Sequence, residues 1–103
     1  MSSLAKLMKQ AQRMQQQMLV VQEGLAKKTV AAASGGGTVK VVVSCDGNLQ
    51  SIKLDPDAVN KDDAAFLEDL ILKAVNEGLA KAREISNQEM GSVSGGMQIP
   101  GMF

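Results

Sequence analysis

Lys6, Lys9 and Arg13 follow one another at intervals of three and four residues. On a helix this spacing sets three positive charges along about 10 Å of one side, a length that meets successive phosphates of a nucleic-acid backbone. A plain solvated helix face carries the same pattern, so spacing alone leaves both readings open. Gln10, Gln12, Gln15, Gln16, Gln17 and Gln22 surround these bases. Their amides can hydrogen-bond to phosphates or adenine edges, and glutamines are equally the filler of a soluble helix.

Other chemistries find little support. The chain has no His, which removes the usual general base and the commonest metal ligand. No nucleophile stands beside a base, so the reading is of a protein without catalytic residues. Cys45 is the single thiol, which rules out an internal disulfide and fits a structural position in a tight turn. Gly35, Gly36 and Gly37 precede a Val-rich run rather than Gly-Lys-Ser/Thr at a helix start, so they read as a turn and not as a phosphate loop. Asp55, Asp57, Asp62 and Asp63 lack the glycine and terminal glutamate of a calcium loop. Helix capping and solubility account for them, and no metal or cofactor is expected.

The element that carries the bases is a long first helix, from Ser2 or Ser3 to about Lys27. Leu4, Leu7, Ala11, Met14, Met18, Val21 and Leu25 repeat at alternating intervals of three and four, a narrow heptad seam suited to lying along another helix. A short strand is expected at Thr29 to Ala33, then the glycine turn, then a strand from Thr38 to Cys45 with Val39, Val41 and Val43 on one face. Asp46-Gly47 predicts a two-residue type I′ hairpin. That loop sets Val43 opposite Gln50, Val41 opposite Ile52 and Val39 opposite Leu54, with Lys40 opposite Lys53 and Ser44 opposite Leu49 on the other face. Pro56 ends the third strand. Asp62 or Asp63 is the expected cap of a second long helix running to about Glu89, with an apolar stripe that includes Leu67, Leu70, Ala74, Gly78 and Ala82. The fold class is therefore α+β: a long N-terminal helix, a three-stranded antiparallel sheet with a hairpin, and a long C-terminal helix. Residues 1–90 read as one domain and 91–103 as a Gly/Met/Pro-rich tail whose Met97, Ile99, Met102 and Phe103 can dock.

A chain of 103 residues with two Phe and no Trp or Tyr builds a modest core, and help from a second subunit is expected. Lys plus Arg and Asp plus Glu are both 11. Residues 1–28 nonetheless carry five bases against Glu23, and residues 55–70 carry six acids against Lys61. One basic arm and one acidic region thus hide in a neutral total. No run approaches the 18 or so apolar residues of a membrane span, and no hydrophobic signal core opens the chain, so a cytoplasmic protein is expected. The lack of an aromatic stacking platform argues against single-stranded nucleic acid.

The segments LMKQAQRMQQQM (Leu7 to Met18), SGGGTVKV (Ser34 to Val41), DGNLQSIKLDP (Asp46 to Pro56), LEDLILKAVNEGLAKA (Leu67 to Ala82) and SGGMQIPGMF (Ser94 to Phe103) occur in this order. Together they resemble the YbaB/EbfC family of bacterial nucleoid-associated proteins over nearly the whole chain. The resemblance implies a tweezer-like homodimer whose sheets form the joined body and whose helices project as arms that hold double-stranded DNA. It implies no enzymatic activity, no cofactor, no small-molecule substrate and no membrane, with a place in the cytoplasmic nucleoid and a role in its organisation or in gene regulation. By position, Lys6, Lys9 and Arg13 are the DNA-facing candidates. The competing reading is a prefoldin-like holdase, for which Leu4, Leu7 and Met8 at the start of the first helix and Met102 and Phe103 at the chain end would supply apolar tips. After these three bases, Lys40 and Lys53, then Lys81 and Arg83, are the next places to seek a phosphate site.

Overall fold

A computed structural model describes residues 3–94. Its elements are α1 (Ser3–Lys27), β1 (Thr29–Ser34), β2 (Val39–Ser44), β3 (Leu49–Leu54) and α2 (Ala64–Ser94), with short 3-10 turns at Gly35–Gly37, Pro56–Ala58 and Lys61–Asp63. The strands form one antiparallel sheet in the order β1-β2-β3. The architecture is the expected α+β arrangement.

Alternation along β2 decides the layering. Val39, Val41 and Val43 point to one face and are fully buried. The row Leu70, Ala74, Gly78 and Ala82, spaced by four on α2, lies over them and Ala32. α2 covers β1 and β2 and leaves β3 largely outside its reach. The glycine turn is needed because Gly35, Gly36 and Gly37 all take positive φ, from 61° to 100°. It also brings Ser34 Oγ to the Leu70 carbonyl at 2.5 Å, tying β1 to α2.

The hairpin differs from a type I′ turn. That turn needs positive φ at both central residues, and only Gly47 has one, at 96°. The loop instead holds three residues, Cys45 to Gly47. The Gly47 amide donates to the Ser44 carbonyl at 3.0 Å, and the Ser44 amide donates to the Asn48 carbonyl at 2.8 Å. Ser44 Oγ donates to the Asp46 carboxylate across the turn. The third residue is drawn in by α1: the amide of buried Cys45 donates to the Leu25 and Lys28 carbonyls at 3.1 and 2.9 Å. A bulge at Gln50 absorbs the extra residue, so Val43 faces Leu49 rather than Gln50, and Ser44 no longer faces Leu49. Beyond the bulge Val41–Ile52, Lys40–Lys53 and Val39–Leu54 pair as expected, with Val42 opposite Ser51.

Two helix ends also differ. Asn60, not Asp62 or Asp63, does the capping: its side chain accepts the Asp62 amide at 3.0 Å, and the 3-10 turn it starts leads directly into α2. α2 continues past Glu89 to Ser94, through Gly91. Packing against α1 offsets the poor helix propensity there, since Met90 and Gly91 are half-buried and Glu89 pairs with Lys28. Of the expected tail, residues 95–103, with the docking candidates Met97, Ile99, Met102 and Phe103, lie outside the described residues.

The heptad seam is occupied over only part of its length. Leu25 is buried and Met14, Met18 and Val21 are half-buried, with Leu25 and Gln22 lining one crevice with Ser86 and Met90 of α2. Leu4 and Leu7 are 64% and 60% exposed. The N-terminal half of α1 therefore projects beyond α2, and the described chain reaches 73 Å in length while only 16 Å thick.

Candidate nucleic-acid interface

The projecting half of α1 carries Lys6, Lys9 and Arg13, all exposed. At about 100° per residue the three side chains fall within an arc of about 60°, on the side away from the Leu4–Leu25 seam. No acidic residue precedes Glu23 in the sequence, and none of the three bases forms an ion pair among the described residues. They are thus brought together on one helix face with their charge unmatched. Such a face can contact phosphates.

Lys27 and Lys28 sit apart from this group, at the far end of the helix. Lys28 is engaged by Glu89, so it serves the α1–α2 contact.

A second group of bases surrounds the sheet. Alternation puts Lys40 and Val42 on the face of β2 turned away from α2, and Lys53 lies directly opposite Lys40 on β3. Lys81 of α2 joins them: its Nζ donates to the Ala31 carbonyl at 3.2 Å and pairs with Glu77 at 3.6 Å. The Lys40–Lys53 opposition is legible from the strand pairing. The arrival of Lys81, 50 residues from Ala31, is not. Arg83 lies elsewhere, beside the hairpin with Cys45 and Asp46.

The remaining candidates resolve into structural roles. Asp55 accepts the Asp57 amide at 3.1 Å and so caps its own turn. Among the described residues no three His, Cys, Asp or Glu side chains are grouped to hold a metal ion. The glycines close a turn that leads into β2, and a Cβ on Gly35 would lie 3.0 Å from Leu70 Cδ1, so close packing accounts for that position. Cys45 is buried at the hairpin. Among the described residues no helix is long and apolar enough to cross a membrane.

The sequence model of the YbaB/EbfC DNA-binding family matches residues 1–97. A nucleoid-associated protein of Pelotomaculum thermopropionicum is 46% identical over 101 residues, covering 98% of this chain and 96% of the relative. A nucleoid-associated protein of Clostridium botulinum is 43% identical over 102 residues, covering 99% of this chain and 90% of the relative. A crystal structure of an uncharacterised protein from Helicobacter pylori superposes with a TM-score of 0.78 at 19% identity, over 85% of this chain and 92% of the other. That last likeness concerns the fold alone.

Proposed function

The chain belongs to the YbaB/EbfC DNA-binding family, and we propose that it grips duplex DNA as a nucleoid-associated homodimer through the projecting halves of α1. The observation that carries this reading is the exposed, acid-free face of Lys6, Lys9 and Arg13 on a helix segment that the described residues leave largely unpacked. Bases arranged in a row along a helix are placed for backbone contact, so binding is largely sequence-tolerant. The naming of relatives as nucleoid-associated proteins supports a place in the bacterial nucleoid, and hence the cytoplasm. The family is not a known enzyme family, and DNA binding of this kind needs no cofactor.

A specific surface supports the homodimer. The bulge at Gln50 sets Leu49 on the same face as Ile52 and Leu54, and this face of β3 lies beyond the cover of α2. Leu49 and Ile52 are 41% and 44% exposed, on the same strand face as half-buried Leu54. An apolar strip along an open sheet edge is what a second copy of the same chain would cover. Joining two sheets there leaves both α1 arms free, the tweezer-like outline.

Leu4, Leu7 and Met8 do give the arm an exposed apolar tip, as a holdase would need. Family membership favours DNA over that reading. A gel shift with duplex DNA, run beside an aggregation-suppression assay, separates the two. The proposal expects retardation of unrelated duplexes with no protection of an unfolding client, and the reverse pattern would overturn it.

A further inference from the structure

The face of the sheet turned away from α2 is a shallow depression of about 600 Å³, with Ala31, Ala33 and Val42 on its floor and Lys40, Lys53 and Lys81 around it. Lys40 and Lys53 are direct cross-strand partners. Like charges set opposite one another weaken a strand pair, so the free protein keeps this arrangement at a cost in stability. Neither ammonium forms an ion pair among the described residues. Asp55 borders both, yet its carboxylate is turned to the Asp57 amide. Lys81 is fixed at the rim by Ala31 and Glu77. The result is a basic surface with a smooth floor and an unmatched pair of charges on its border.

We infer that this outer sheet face is a second phosphate-binding site for duplex DNA, separate from the α1 arm. The inference rests on the DNA-binding reading above and extends it to residues that reading does not use. Opposed residues on neighbouring strands have Cα atoms about 5 Å apart, and two lysine stems from such a pair spread to meet neighbouring phosphates of one strand. The small side chains of Ala31 and Ala33 let a backbone come close. No aromatic ring lies on the floor, so the surface suits phosphates rather than splayed bases. It is also distant from the first site: Arg13 stands about 18 Å along α1 from Leu25, where the helix meets the hairpin.

The test compares three full-length variants by fluorescence anisotropy with one random-sequence duplex over a salt series. They are Lys40→Gln/Lys53→Gln, Lys53→Glu, and Lys6→Ala/Lys9→Ala/Arg13→Ala. Two lysines lost from each protomer of a dimer should flatten the slope of log affinity against log salt by about 3 to 4. Lys53→Glu should weaken DNA binding while raising the melting temperature, because it turns the like-charge pair into an ion pair. A loss of affinity from misfolding cannot imitate that combination. Both sheet variants binding with the wild-type affinity and slope would overturn the inference, and so would an altered light-scattering mass at unchanged DNA affinity, which would make the face a protein contact. If only the α1 variant loses binding, the arm reading survives and this inference alone falls. A wild-type chain without salt-dependent binding would overturn both.

Discussion

Gly78 of α2 lies directly against Val43 of β2: a Cβ built on the glycine would stand 2.8 Å from Val43 Cγ2 and 3.2 Å from Val41 Cγ2. The absence of a side chain there sets how closely α2 approaches the sheet. Both valines are fully buried, and β-branched side chains have little rotamer freedom with which to yield. Gly78→Ala should therefore destabilise the protein by about 1 to 2 kcal/mol, the overpacking cost exceeding the helix-propensity gain of about 1 kcal/mol. Gly24, also in a helix, serves as the control, because a Cβ placed on it would meet nothing within 4 Å. Gly24→Ala should stabilise by up to about 1 kcal/mol. Urea denaturation of the two variants should give opposite signs, and a neutral Gly78→Ala would refute the close approach.

Val41 sits between Ala32 and Ile52 on the covered face of the sheet. Val41→Asp places an unpaired carboxylate among Val39, Val43 and Ala74, and should cost several kcal/mol, on the order of 3 or more. Circular dichroism melting checks this. A wild-type melting temperature would mean that the register of β2 is wrong.

Ile52, by contrast, faces the strip of β3 that α2 leaves open. Ile52→Glu should leave the protomer folded and break the dimer, halving the mass reported by light scattering at micromolar concentration. An unchanged dimer would move the interface to another surface, with the bare Leu4–Leu7 end of the seam first in line.

How far these features can be read from the chain depends on the range of the interactions behind them. Val39, Val41 and Val43 alternate within one strand, and Leu70, Ala74, Gly78 and Ala82 recur within one helix, so local period alone identifies both layers of the core. The hairpin loop departs from its local signal because Cys45 is held by the carbonyls of Leu25 and Lys28, at and just past the end of α1 and some 17 to 20 residues away, and that tertiary contact outweighs the preference of Asp-Gly. Asn60 is hidden as a cap because the 3-10 turn it starts runs into α2 without a break. In the candidate site, Lys6, Lys9 and Arg13 share a face by helical spacing and are visible at once. Lys81 reaches the outer sheet only through the way α2 lies on β1, which no local pattern records.

If α1 holds DNA through the phosphates, the salt dependence of binding reads this out. Three bases on each arm of a dimer give six contacts, and with about 0.9 counterions released at each, the arms alone contribute a slope near −5 to log affinity against log salt. That corresponds to about a thousandfold loss of arm-derived affinity between roughly 50 and 200 mM salt. Lys6→Ala/Lys9→Ala/Arg13→Ala should remain a folded dimer, since these residues lie off the seam, and its slope should be flatter than the wild type's by about 5 for every duplex tested. A triple variant that binds with the wild-type affinity and slope would mean that DNA is held elsewhere than on α1.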